Sequence, residues 1–327
     1  RLGNLCQLKC VMCSPHDSSS WIKEWKLQMP QYKNKDLIAD QGWNDQFDYT
    51  WYKKGSFIDT MKDQAFNIQE LYFAGGEPLL IPEHYKILEF MVDEGYAKDC
   101  NLRYNSNGLE LPDKLFKLWQ HFKEVRFNFS IDAYGERNDY IRYPSKWSDV
   151  ETNLKRLDEN TKDNTVINIA CAVQLLNVGY IDELAEWKMD QGFSKINPSM
   201  FGGGIIGTHL VYLPSYLNVQ VLPQEAKLWV KDKVENFIAK QKFNLEFNQH
   251  PYGAQRWRGL IKYMMQDDWS NKLPALCEYL AVTDKTRGTD YKKTFKFEIL
   301  PGEHNSLVWD KIIKIFTKNG YKVELKS

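Results

Sequence analysis

Cys6-Gln7-Leu8-Lys9-Cys10-Val11-Met12-Cys13 places three thiols within one short stretch near the start of the chain. Thiolates at this spacing can ligate three irons of a four-iron, four-sulfur cluster, because a short loop wraps one face of the cubane and leaves the fourth iron without a protein ligand. A metal centre with such a vacancy can bind and activate a small molecule, whereas a fully ligated one is structural. The cysteines alone also suit a zinc site completed by a further ligand, for which His16 stands close, half of a ferredoxin-like arrangement, or unconnected buried thiols.

Outward from this loop, short apolar runs alternate with helical periodicity, the pattern of βαβ units and a parallel sheet. Strands are expected at Leu2–Leu5, Glu70–Ala74, Asn101–Asn105, Glu124–Asp132, Val166–Val173 and Lys195–Ser199. Helices are expected at Glu83–Glu94, Pro112–Phe122, Ser148–Glu159 and Ile181–Gln191. Six such units predict an α/β fold, a partial (β/α)6 TIM-like barrel over 1–215, whose chemistry belongs at the C-terminal strand ends. An aromatic-rich insertion over 18–66, with Trp21, Trp25, Tyr32 and Trp43, is expected to lie over the core. From 216 to 327 the pattern changes to a mainly helical extension that covers the barrel or binds substrate, with helices at Gln224–Lys242 and Leu307–Lys318.

Polar and glycine residues recur at the predicted strand ends: the cysteines, then Gly75-Gly76-Glu77-Pro78, Ser106-Asn107-Gly108, Ser130 and Asp132, Gln174 and Asn177, and finally Asn197. Each is an ordinary turn signal taken singly. In order, and at one rim, they form a candidate site.

Composition limits the alternatives. The 327 residues are 43% hydrophobic and 26% charged, as in a globular protein, and 43 basic side chains balance 43 acidic ones. No general field therefore attracts nucleic acid or an anionic membrane. No apolar run is long enough for a membrane span, and the N-terminus lacks a signal-peptide pattern. Six cysteines, three of them clustered, fit metal binding in a reducing, cytoplasmic setting better than a disulfide framework. The chain opens on Arg1, which leads us to expect a fragment that has lost an N-terminal segment. Trp257, Trp269, Arg256 and Arg258 are read as core or surface, and Cys171, although it could point into the barrel, as an inert buried thiol.

The three-cysteine motif, followed by Gly75-Gly76-Glu77-Pro78, Ser130-x-Asp132 and Arg142, resembles the radical S-adenosylmethionine (radical SAM) superfamily over roughly residues 1–200. Arg287-Gly288-Thr289-Asp290, with the flanks of the first two motifs, resembles its twitch-domain-containing members from phages and marine bacteria. The resemblance implies that Cys6, Cys10 and Cys13 hold a [4Fe-4S] cluster. It further implies that S-adenosyl-L-methionine contacts Met12, Gly75, Gly76, Glu77, Ser106, Ser130, Asp132, Arg142, Gln174 and Asn197. Gly75–Glu77 would meet its amino group, Ser130 and Asp132 its ribose, and Arg142 its carboxylate. Met12 stands where the family often has an aromatic residue, and Ala133 where it often has glycine. The implied activity is oxygen-sensitive reductive cleavage to a 5′-deoxyadenosyl radical, with flavodoxin or ferredoxin as reductant. The radical would take hydrogen from a peptide or protein, the leading expectation, or from a sugar or nucleotide derivative; a non-catalytic metal-binding module is the alternative. No catalytic side chain is singled out.

Overall fold

The computed structural model describes residues 1–39, 47–196, 205–241 and 253–295. At its centre five strands, β1 (Glu70–Phe73), β2 (Asn101–Ser106), β3 (Glu124–Ser130), β4 (Thr165–Val173) and β5 (Gly207–Leu210), pair in parallel in the order 1-2-3-4-5. Sequential neighbours in a parallel sheet need crossovers, and helices supply them. Between β1 and β2 lies α4 (Pro82–Asp93), started by a proline that fits the first helical turn. Next come α5 (Asp113–Trp119), then α6 (Glu136–Ile141) and α7 (Trp147–Asn160), and α8 (Ile181–Asp190). Of these, α4, α5, α7 and α8 match the four expected helices to within a few residues at their ends, and α6 is additional.

The side chains of Leu102, Tyr104, Val125, Phe127, Phe129, Ile167, Ile169, Cys171 and Val173 alternate along the strands and are fully or almost fully buried on one face of the sheet. Leu88 and Met91 of α4, Leu115 of α5 and Leu154 and Leu157 of α7 belong to the same core. Each large side chain removed from water contributes about 1.5–3 kcal/mol, so this face fixes the register of the whole sheet.

Two expected strands differ. Leu2–Leu5 forms no strand, because Gly3 has φ of +62°, a conformation that bends the chain. Leu5 nonetheless lies beside the sheet, its carbonyl accepting from the Glu77 N–H at 2.6 Å. The strand expected at Lys195–Ser199 is reduced, in its described part, to one bridge between Ile196 and Ile167, and the ladder on β4 is taken up by Gly207–Leu210. The barrel therefore has five strands among the described residues, one fewer than expected. Asn197, Gly202–Gly204 and the helix at Leu307–Lys318 lie outside the described residues.

Among the described residues three α-helices precede β1: α1 (Trp21–Gln28), α2 (Lys35–Ala39) and α3 (Gly55–Gln64). The aromatic insertion is core as much as cover, since Trp21, Trp25 and Tyr52 are each at most 2% exposed. After β5 follow α9 (Gln224–Lys240), α10 (Gly253–Gln266), α11 (Leu273–Arg287) and α12 (Tyr291–Thr294). Trp257 is buried and stacks on Phe237, and Arg258 pairs with Glu235 at the surface, as the bland expectation had it. Among the described residues no helix is long and apolar enough to cross a membrane.

Candidate active site

A cleft of about 230 Å³ opens at the C-terminal ends of the strands. Cys6, Cys10 and Cys13 line it from one side, with Met12 between them, and Gly75, Gly76, Ser106 and Ser130 from the strand ends opposite. The loop that carries the thiols is held through its backbone. Lys9 N–H donates to the Tyr143 carbonyl and Val11 N–H to that of Ile141. The loop carbonyls are bound as well: Ser20 Oγ donates to Cys6 O, Ser18 Oγ to Leu8 O, Trp21 Nε1 to Cys10 O, and Tyr279 OH to Val11 O. A loop whose polar groups are bound to the surrounding fold presents its thiols in one arrangement.

Lys9 O is bound by Arg287, at 2.8 Å from Nη2. Arg287 ends α11, and its side chain is 2% exposed, clamped between Glu24 at 2.6 Å and the faces of Trp21 and Tyr143. Glu24 in turn binds Lys9 Nζ at 2.5 Å. Gly288 closes the helix in the left-handed conformation, and Asp290 caps α12. The Arg287-Gly288-Thr289-Asp290 stretch, which carried only a resemblance in the sequence, is thus a strap across the cysteine loop.

The thiols are electrostatically unequal. A hydrogen bond from Cys13 pulls Cys10 down from its ordinary value despite burial, aided by the charges of Arg142 and Arg287. Cys13 is raised by that same bond and by burial, and burial pushes Cys6 up to about 12. Among the described residues no three His, Cys, Asp or Glu side chains converge on the point one metal ion would occupy. A cubane asks for something else, three thiolates spread over three irons. His16, the candidate fourth ligand of a zinc site, is instead bonded through Nδ1 to Tyr49 OH at 2.9 Å. The donor set therefore fits an iron–sulfur cluster better than zinc.

Several of the residues expected to contact S-adenosylmethionine also brace the scaffold around the cleft. Glu77 lines the cleft yet is 0% exposed; Oε1 accepts from Ser106 Oγ and Leu79 N–H, Oε2 from Asn107 N–H. It ties the end of β1 to the end of β2, and three of its lone-pair positions serve that task. Gly76 has φ of +57°, and a Cβ there would stand 2.6 Å from the Leu5 carbonyl, so the glycine is required by the close approach of two backbones. Asp132 does not line the cleft. Its Oδ1 accepts from Ala172 N–H, and Oδ2 faces Arg142 Nε at 2.8 Å. Burial raises the Asp132 carboxyl against the pull of that guanidinium. Arg142 does line the cleft, with Nη1 4.0 Å from Cys10 Sγ, so Asp132 aims it there. Gln174 is fully buried away from the cleft, both its carboxamide atoms unpaired among the described residues. Cys171 is fully buried in the core, its Sγ 3.5 Å from Asp132 O.

Asn107, named only within the rim motif and given no role, lines the cleft, as does Asn105, which was not singled out. Asn107 Nδ2 lies 3.2 Å from Gln7 Oε1 and 3.9 Å from Cys6 Sγ. The signal for Asn107 was present in Ser106-Asn107-Gly108, read there as a turn. For Asn105 the signal is strand parity alone.

Glu77 supplies a pH test. Burial raises its carboxyl from 4.5 to about 7 even though three donors favour the charged form. The folded state then holds a proton that the unfolded chain releases, so stability contributed by this group is full below pH 4.5 and declines as pH rises to about 7. Relative to Glu77→Gln, which does not titrate, the parent should lose roughly 3 kcal/mol of advantage across that window, measured by denaturant unfolding at pH 4.5 and pH 7.5. A constant difference would show that folding does not raise the Glu77 carboxyl.

The family model described as the Radical SAM superfamily matches residues 1–187. Among curated proteins none matches this chain. Solved structures similar to it include "Native anSMEcpe with bound AdoMet", at TM-score 0.46 and 16% identity, covering 73% of this chain and 60% of that one. A second is "Native anSMEcpe with bound AdoMet and Cp18Cys peptide", at TM-score 0.49 and 15% identity, covering 75% of this chain and 60% of that one. The chain thus spans about 60% of the length of these structures. That superfamily uses a [4Fe-4S] cluster and S-adenosylmethionine, and with the family model spanning more than half of its residues, the chain belongs to it.

Proposed function

We propose that this protein is a radical SAM enzyme that cleaves S-adenosylmethionine reductively and takes a hydrogen atom from a substrate lying against the open face of its sheet. One observation carries the reading: Cys6, Cys10, Cys13 and Arg142 share a single cleft with Gly75 and Gly76. When bound there, the cluster and S-adenosylmethionine supply one-electron chemistry and a 5′-deoxyadenosyl radical. The residues themselves bind and orient. The three thiols would hold the cluster, and Arg142, kept in place by Asp132, offers its fork to the methionine carboxylate. Ser130 faces the same space as a hydrogen-bonding group for a ribose, and Met12 as a soft apolar contact. A non-catalytic metal module would have no use for a buried arginine held beside a thiol.

Of the two substrate classes expected, a polypeptide and a small molecule such as a sugar or nucleotide derivative, the second is favoured by three hydrogen-bonded asparagines, Asn105, Asn128 and Asn168, level with one another on β2, β3 and β4 next to the cleft. The reductant would be a flavodoxin- or ferredoxin-type donor. Placement in the twitch-domain branch rests on the sequence resemblance of residues 287–290 and of the motif flanks.

Anaerobic reconstitution should load about four irons per chain. Incubation with S-adenosylmethionine and dithionite should then release 5′-deoxyadenosine. A preparation that holds its cluster and releases none would overturn the enzymatic reading.

A further inference from the structure

In a closed TIM barrel the strand residues that face inward are packed by branched aliphatic side chains. The corresponding face of this sheet is polar. The parallel register sets Asn105, Asn128 and Asn168 side by side on β2, β3 and β4, all exposed or half-buried among the described residues. Asn168 Nδ2 donates to Asn128 Oδ1 at 3.4 Å, Asn128 Nδ2 to Asn105 Oδ1 at 2.9 Å, and Asn105 Nδ2 to Tyr72 OH at 2.8 Å. A carboxamide has two N–H donors and an oxygen with two lone pairs. Within this row Asn105 and Asn128 each keep one donor and one lone pair for a ligand. These donor–acceptor pairs repeat at the strand spacing, about 4.8 Å.

The row adjoins the cleft. Asn105 lines it, as does Ser130, two residues beyond Asn128 on the same face of β3. Resting on the reading that the cleft binds S-adenosylmethionine, we propose that the asparagine row is the substrate-recognition floor and that its ligand is a neutral, hydroxyl-rich small molecule of the pyranoside type.

Three features of the face select that class. A hydroxyl both donates and accepts, so a polyol answers each carboxamide, and hydroxyls on alternate carbons of a pyranose ring are spaced close to the strand repeat. Nearer the N-terminal ends of the strands, Arg103 pairs with Glu70 at 3.3 Å and Arg126 with Glu124, so the arginines are neutralised and offer no net charge for a phosphate ester. Val166, beside Arg126, is the large aliphatic side chain of these rows, so the apolar residues of a polypeptide meet no pocket here. Tyr72, 50% exposed at the end of the row, adds a phenolic hydroxyl that accepts from Asn105 and can donate to a ligand hydroxyl.

The test uses the anaerobically reconstituted enzyme with S-adenosylmethionine and saturation-transfer NMR. The probes are the methyl pyranosides of glucose, galactose and mannose, N-acetylglucosamine, glucose 6-phosphate and trialanine. At least one neutral pyranoside should bind, more tightly than glucose 6-phosphate and trialanine. Asn128→Leu should weaken that binding about tenfold or more, the loss of two ligand hydrogen bonds. Asn168→Ala, at the other end of the row, should weaken it in the same direction, and serves if Asn128→Leu fails to fold by circular dichroism. Equal binding in parent and folded variants, or preference for the phosphate ester or the peptide, overturns the proposal. So does absence of any pyranoside binding by a preparation that releases 5′-deoxyadenosine. A preparation that loads its cluster without that release overturns the underlying reaction instead.

Discussion

Cys10→Ala is expected to reduce 5′-deoxyadenosine release to background and to strip most of the reconstituted iron, while leaving the iron-free protein folded. Cys10 is the most buried of the three thiols and the one beside Arg142. Its removal takes away one of the three proposed cluster ligands, and none of the other cysteines lines the cleft: Cys100, Cys171 and Cys277 are all buried elsewhere. The fold should tolerate the change because the loop is held by its backbone. Trp21 Nε1 bonds the Cys10 carbonyl at 2.9 Å, and the flanking N–H groups of Lys9 and Val11 are bonded to Tyr143 and Ile141. Loss of the buried sulfur should cost about 1 kcal/mol. Iron content, absorbance of the reconstituted protein and thermal unfolding of the iron-free form separate the two effects. If the variant cleaves S-adenosylmethionine as the parent does, the three-cysteine assignment fails.

Arg287→Ala should have the second largest effect, and at a residue more than 270 positions from the thiols it serves. The substitution leaves the buried Glu24 with Lys9 and the Gln28 carboxamide, without its guanidinium, and leaves the Lys9 carbonyl without its donor. Breaking a buried pair by removing one partner costs about 3 kcal/mol or more. Outer groups that orient metal ligands typically matter about 10–100-fold in affinity, so iron retention against a chelator should fall by about tenfold or more. Arg287→Lys keeps the charge and loses the two-sided fork that bonds Glu24 and Lys9 O together, so it should recover stability more than iron retention. Equal iron retention in parent and both variants would reduce the strap to plain packing.

The elements most legible in sequence were those written in adjacent residues. Cys6, Cys10 and Cys13 share a cleft because a loop of that length cannot separate them widely, and Gly75-Gly76 turns beside them because only glycine takes those φ values without strain. The βα alternation likewise predicted four of the five strands and the helices between them. It failed at Leu2–Leu5, where Gly3 breaks the extended chain, and at Lys195–Ser199, where β4 finds its partner eleven residues later.

Charge type alone did not tell a ligand from a scaffold. Glu77 and Asp132 read equally well as contacts to S-adenosylmethionine, yet both are buried, Glu77 holding Ser106 and Asn107, Asp132 holding Ala172 and Arg142. A carboxylate satisfied by backbone N–H groups looks the same in sequence as one waiting for a ligand.

By itself the sequence determined the cluster loop, the order of the rim motifs and the alternating fold, since these depend on local spacing and side-chain period. Tertiary structure decided what the rim residues hold, how Arg287 reaches the cysteine loop, and that three asparagines from separate strands form one row. The physical reason is register. Alternation tells which residues share a face of a strand, but only strand pairing sets them level with one another, and only packing decides which face the helices cover.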